Sequence, residues 1–268
     1  MLRISFFLFC FFFFLSPAYA VDYDEIYDAY QNGDYATALT GFTELAAENN
    51  MKAQFYLGTM YREGKGVEQD YQKSLEWYLK AAEQNEPKAQ HNVALFYHNG
   101  LAVKQDFKTA IEWYTKAANQ DYIPSIINMA MLYFRGQGVN KDINTAIKWW
   151  AKAAELGSKG AQHNLGLMYF LGQGVKRDYA TALKWYKKAA EQGSKEAQNS
   201  LAVMYFEGDG VEKDLIEAYA WTKLAAEAGY DQAKINVGII ESNLNEEQLQ
   251  RAKTKAEEYL NKYPSEKE

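Results

Sequence analysis

Five tryptophans, Trp77, Trp113, Trp149, Trp185 and Trp221, stand 36 residues apart without a slip. Three more ladders keep the same step: Asp34, Asp70, Asp106, Asp142, Asp178 and Asp214; Tyr61, Tyr97, Tyr133, Tyr169 and Tyr205; Gly64, Gly100, Gly136, Gly172 and Gly208. A period of this length marks an array of supersecondary units. Each unit is too small to bury its own apolar face, so neighbours must stack on one another.

Each unit reads as two helices and a loop. In the clearest copy Ala161, Leu165, Met168 and Tyr169 recur at helical spacing and make one apolar stripe on a first helix. Gly166 lets a neighbouring helix approach closely. Gly172 and Gly174 stop the helix, because glycine accepts the left-handed backbone of a helix end. Asp178 opens the second helix, where a carboxylate accepts bonds from free backbone amides and complements the helix dipole. That helix runs from Tyr179 to about Glu191, with Tyr179, Ala182, Leu183, Tyr186 and Ala189 on one face and Trp185 beside it, toward the adjoining unit. Stacked units of this kind form an all-α solenoid of antiparallel helix pairs.

The ends depart from the lattice, as solenoid ends do. Tyr30 and Asp34 are separated by three residues where full units have eight, so residues 21–50 form a separate N-terminal unit. Five full units and a half, the half running from Ala233 to Ile240, occupy 51–240. Asn245 then starts a final amphipathic helix with Leu249, Ala252, Ala256, Tyr259, Leu260 and Tyr263 on its apolar side, and 241–268 reads as a capping segment.

Residues 1–20 stand apart. Met1-Leu2-Arg3 is a short positive start, Ile4 to Leu15 is almost wholly apolar, and Ala18-Tyr19-Ala20 is a small-x-small cleavage site. The apolar run is too short to span a bilayer of roughly 30 Å. This predicts a secretory signal peptide, Val21 as the first mature residue, an exported periplasmic or secreted bacterial protein, and no membrane insertion after cleavage. The only cysteine, Cys10, lies inside that run, so the mature chain can form no disulfide. A net charge of −6 gives no reason to expect a nucleic-acid partner.

The sequence Ala161-Gln-His-Asn-Leu-Gly-Leu-Met-Tyr, followed by Gly172-Gln-Gly-Val, Asp178-Tyr, Ala182-Leu and Trp185-Tyr, closely resembles the Sel-one-like repeat (SLR), a relative of the tetratricopeptide repeat with a longer inter-helix loop. The resemblance covers about 53–240. It departs where Ala102 replaces the lattice glycine and where Ser125-Ile126 replaces Ala-Gln, and residues 24–50 look more like an ordinary tetratricopeptide repeat. It implies a right-handed superhelix with a concave face, acting as an adaptor or assembly platform. Exported members of the family are linked with envelope functions and host interaction, and some cysteine-rich ones with claimed penicillin binding or β-lactamase activity.

The side of each first helix opposite its core stripe can be compared across units. That row is His91, Leu95 and His98; Ile127, Met131 and Phe134; His163, Leu167 and Phe170; Asn199, Val203 and Phe206, with Phe55, Thr59 and Arg62 before them. It is apolar in its middle and polar at its edges, which suits a groove for an extended or helical peptide. The competing reading is that these side chains only pack between neighbouring first helices.

No metal, cofactor or catalytic site is expected. His91 and His98 lie two turns apart on one helix, about 10 Å, and no cysteine assists them. One aspartate per unit cannot supply the 6–8 oxygens that calcium takes, so the ladder is read as helix caps. Asn92, Asn128, Asn164 and Asn236 either bond to neighbouring backbone or reach into the groove. No serine beyond residue 20 has a matching histidine nearby in the sequence, so no nucleophile is assigned. These readings favour a non-enzymatic scaffold for protein or peptide partners over two alternatives, a cell-wall- or penicillin-binding enzyme and a structural oligomerising spacer.

Overall fold

The structure, a computed structural model, describes residues 22–263. The segment read as a signal peptide, with Cys10, lies outside them, as do residues 264–268 of the capping segment. The described residues form α-helices and no strand. They fall into two compact units that divide inside the fourth helix, one up to Lys80 and one from Ala81. In order the helices are α1 (Tyr23–Gln31), α2 (Tyr35–Ala47), α3 (Met51–Glu63), α4 (Tyr71–Glu83), α5 (Pro87–Asn99), α6 (Phe107–Ala118) and α7 (Ile123–Arg135). They continue as α8 (Ile143–Glu155), α9 (Lys159–Leu171), α10 (Tyr179–Glu191), α11 (Lys195–Glu207), α12 (Leu215–Glu227), α13 (Asp231–Glu241) and α14 (Glu246–Lys262). Odd-numbered helices from α3 to α13 are first helices, and from α5 to α13 consecutive helices pack on one another, in the all-α, solenoid-type arrangement of antiparallel pairs that the lattice calls for.

The Asp and Gly ladders set the helix boundaries. Asp106, Asp142, Asp178 and Asp214 each cap a second helix by accepting backbone N–H groups of its first turn, and Thr109, Thr145 and Thr181 return a hydroxyl to their aspartate at 2.7 Å. Such a cap contributes about 1 kcal/mol. The Tyr ladder closes the same loop: the backbone N–H of Asp178 donates to the carbonyl of Tyr169 at 3.0 Å, and that of Asp142 to Tyr133 at 2.9 Å. Each loop begins at a glycine in the left-handed region, such as Gly172 at φ 70°. Ala102 must adopt this region too, at φ 58°.

The core of each pair is made from alanines and one large ring. Ala117, Ala118, Ala153, Ala154, Ala189 and Ala190 are all buried, which brings helices close together. Between them lie Tyr114, Trp150 and Tyr186 on second helices, each at most 2% exposed. In the compact unit that ends at Lys80, Tyr78 takes this place and is fully buried. Burying one such ring contributes roughly 1.5–3 kcal/mol. The first helix makes room for it: a Cβ built on Gly166 would lie 2.7 Å from the Tyr186 ring.

The lattice tryptophans sit nearer the surface. Trp149 and Trp185 are half-buried against the α7–α9 core, and Lys188 lies over the Trp185 ring at 4.6 Å, as Lys116 does over Trp113 at 3.7 Å. Trp221 is fully buried because α14 covers it. Tyr259 and Tyr263 pack on its ring at 4.7 and 5.3 Å, Tyr259 donates its hydroxyl to Glu217 at 2.9 Å, and Lys255 pairs with the same carboxylate. A capping box formed by Asn245 and Gln248 starts α14. Among the described residues no helix is long and apolar enough to cross a membrane.

Candidate functional site

The first-helix row runs along α5, α7, α9 and α11. Each helix contributes one residue close to the next first helix, one in mid-row and one near the loop. The leading positions, His91, Ile127, His163 and Asn199, bridge to the following first helix where they are polar. His91 Nδ1 lies 2.9 Å from Ser125 Oγ, His163 Nε2 lies 3.4 Å from Ser200 Oγ, and Asn199 Oδ1 accepts from Asn236 at 2.9 Å. At this edge of the row, packing between first helices describes the side chains well.

The mid-row positions differ. Leu95, Met131 and Leu167 are half-buried and Val203 is 37% exposed, so part of each apolar side chain faces solvent. The loop-side positions, His98, Phe134, Phe170 and Phe206, are also half-buried. Their rings rest on the second helices: Phe134 on Trp150 at 5.3 Å, Phe170 on Tyr179 at 5.2 Å, and His98 on Phe107 at 5.2 Å. Lys141 and Lys213 lie over Phe134 and Phe206 at 5.7 and 5.0 Å. The arrangement is an apolar strip with a cationic margin. In the N-terminal unit Phe55 lies against the Tyr78 ring at 5.7 Å, and Thr59 Oγ1 and Tyr78 Oη are 3.0 Å apart.

The serines need a correction. The sequence offers none beside a histidine, yet two Ser–His pairs form, because residues 34 and 37 apart meet across adjacent first helices. Neither resembles a nucleophile and its base. Ser125 is fully buried, and Ser200 donates its hydroxyl to the backbone carbonyl of Glu196 at 2.9 Å. Burial holds the His163 imidazole below its ordinary pKa against the opposing charge of Glu196. His98 is lowered by burial and by the Arg135 charge. Among the described residues no group of three His, Cys, Asp or Glu side chains could hold a metal ion.

The Asn ladder has no single role. Asn92 donates to the carbonyl of Lys88 in its own helix, Asn128 lies near the Tyr114 hydroxyl, and Asn236 donates to Asn199. The sequence reading also stops the row one helix early. Ile235 and Ile239 are the lattice equivalents of Asn199 and Val203, and they are 62% and 49% exposed on α13. Adding 36 to Val203 would have found Ile239.

The Sel1 repeat family matches residues 52–86, 87–122, 123–158, 160–194 and 195–230. The chain belongs to the Sel1 repeat family. Its Sel1 repeats also align with those of solved structures. One is c5321, a protective antigen of uropathogenic Escherichia coli strains with an SLR fold, at 37% identity and a TM-score of 0.78. The match covers 88% of this chain but only 52% of that one, so the present chain spans about half the length of that relative. Another is a Sel1 repeat protein from Oxalobacter formigenes, at 35% identity and a TM-score of 0.73, covering 77% of this chain and 85% of that one. No curated protein matches the chain.

Proposed function

We propose that this Sel1 repeat chain is an exported, non-enzymatic scaffold that binds protein or peptide partners along its first-helix row. One observation carries the reading. Successive first helices present Leu95, Met131, Leu167 and Val203 at the same lattice place, and none of the four is buried. Apolar side chains repeated along one side of a stack are suited to anchor a chain that contributes a side chain per step. The row is only half open, so a partner would lie along it. The export reading rests on residues 1–20, whose apolar run and Ala18-Tyr19-Ala20 site have the form of a cleaved leader.

The test has two parts. Intact mass of the protein recovered from the periplasm should begin at Val21; a species retaining Met1 would refute export with cleavage. A partner captured from the envelope, identified and purified, should then lose affinity for the Met131→Glu, Leu167→Glu double variant while keeping it for Lys148→Glu and Lys184→Glu, both exposed on second helices. A folded double variant that binds at full strength would place the partner elsewhere on the molecule.

A further inference from the structure

The fifth Sel1 unit lacks a ring that the other four contain. Tyr78, Tyr114, Trp150 and Tyr186 occupy one lattice place on successive second helices, and Thr222 occupies it on α12. In the fourth unit Tyr186 lies against Gly166, with His163 at 5.5 Å and Phe170 at 6.4 Å, and its hydroxyl lies near Ser200 on the following first helix. The Tyr114 hydroxyl lies near Asn128 and 3.4 Å from His98 Nδ1. The lattice equivalent of Asn128 and Ser200 is Asn236 on α13.

Thr222 turns its hydroxyl back to the carbonyl of Ala218 at 2.7 Å, and the space of the missing ring stays open. A cavity of about 280 Å³ lies between α11 and α13, its walls including Ala202, Val203, Phe206, Thr222, Asn236 and Ile239. Val203 and Ile239 are 37% and 49% exposed, so the cavity opens to solvent on the row side. Asn236 donates one amide proton to Asn199 and accepts from Gln232 at 3.2 Å. A side-chain amide has two donor protons and two acceptor lone pairs, so one of each remains for a ligand.

We propose that this cavity receives a tyrosine side chain of a partner peptide, its ring between Val203, Phe206 and Ile239 and its hydroxyl on Asn236. The occupant follows from continuity with the packing of the repeat itself. Two of the preceding units, those of Tyr114 and Tyr186, fill this place with a phenol whose hydroxyl lies near the residue equivalent to Asn236, so apolar walls and polar end match a phenol and not an aliphatic side chain. The proposal rests on the reading of the first-helix row as the partner surface and names the chemistry that its C-terminal end selects.

The test uses the full chain and N-acetyl-tyrosinamide as probe. Methyl resonances of Val203 should shift saturably with the tyrosine probe. The phenylalanine analogue should bind about two- to ten-fold more weakly, the loss of one hydrogen bond. Thr222→Tyr should remove the shifts and raise the thermal midpoint, because it rebuilds the packing of the other units. Ile239→Glu, on an exposed wall, should also remove them and covers the case in which Thr222→Tyr misfolds. Equal binding by Thr222→Tyr or Ile239→Glu and the native chain would overturn the proposal, as would equal affinity for the phenylalanine probe. So would a dimer of the native chain that Thr222→Tyr dissociates, which would assign the cavity to a second copy. The probe is read without any partner, so its failure leaves the row untouched. Conversely, a Met131→Glu, Leu167→Glu variant that keeps its partner would sink the row reading without altering the probe result.

Discussion

Gln192 donates its side-chain amide to the side-chain oxygen of Gln162, 30 positions earlier, at 2.8 Å. Gln162 in turn donates to the backbone carbonyl of Ala154 at 3.1 Å, so two glutamines tie three consecutive helices together. Gln120 and Gln90 repeat the arrangement at 2.9 Å, with Gln90 donating to Ala82. Where the first glutamine is Ile126, the second is Leu156, and the polar pair is lost as a whole. Gln198 breaks the pattern. It donates to Ala190, but its partner position is Ala228, and its oxygen is buried without a hydrogen bond.

Ala228→Gln should therefore stabilise the protein. Ala228 ends α12 as Gln192 ends α10, with near-identical backbone angles, so the longer side chain starts from the same place. Supplying the missing donor should add about 0.5–1.5 kcal/mol. A urea midpoint at or below that of the native chain would show that the Gln198 oxygen is satisfied by other means.

Trp150 and Trp149 should respond very differently to truncation. Trp150 is 2% exposed and Trp149 half-buried. Trp150→Ala should cost about 3–5 kcal/mol, and Trp149→Ala clearly less. Trp150→Tyr should be tolerated far better than Trp150→Ala, since tyrosine is the lattice residue and the Trp150 Nε1 proton is buried without a partner. Equal losses for Trp149→Ala and Trp150→Ala in chemical denaturation would contradict this account of the core.

Ala102→Gly should raise stability by about 1 kcal/mol. A left-handed backbone costs a residue with a Cβ roughly 1–2 kcal/mol, partly offset by the extra freedom that glycine has in the unfolded chain. Ala102 holds φ 58° where four other units carry glycine at φ near 70°. Differential scanning calorimetry of the variant measures the sign directly, and a fall in midpoint would mean that the Ala102 methyl contributes more than the strain removes.

Acid should weaken the fold in two stages. Burial lowers the His163 pKa from 6.5, so as pH falls below 6.5 the unfolded chain binds a proton that the folded chain does not, and stability drops until the lowered folded value is passed. The contribution is fully present above 6.5. The caps Asp106, Asp142 and Asp178, lowered from 3.8 chiefly by the hydroxyls of Thr109, Thr145 and Thr181, lose their contribution only as pH falls below 3.8. His163→Gln should flatten the loss of stability between about pH 7 and about pH 5. Superimposable pH profiles of variant and native urea midpoints would remove His163 from the explanation.

Helix boundaries were legible in the sequence because local chemistry sets them. Asp178 caps the helix that begins one residue later, Gly172 ends the one before it, and neither needs the rest of the chain to do so. Repetition then fixed the family, since one favourable unit contact is reused at every junction. The site was less legible. Ser125 meets His91, and Gln192 meets Gln162, only when two neighbouring units have packed, and that register appears in no single unit. The open face of Ile235 and Ile239 and the cavity at Thr222 follow from the same cause. A ring absent from one lattice place is a small substitution in the sequence, and becomes an opening only where the side chains of α11, α12 and α13 come together around the place it leaves.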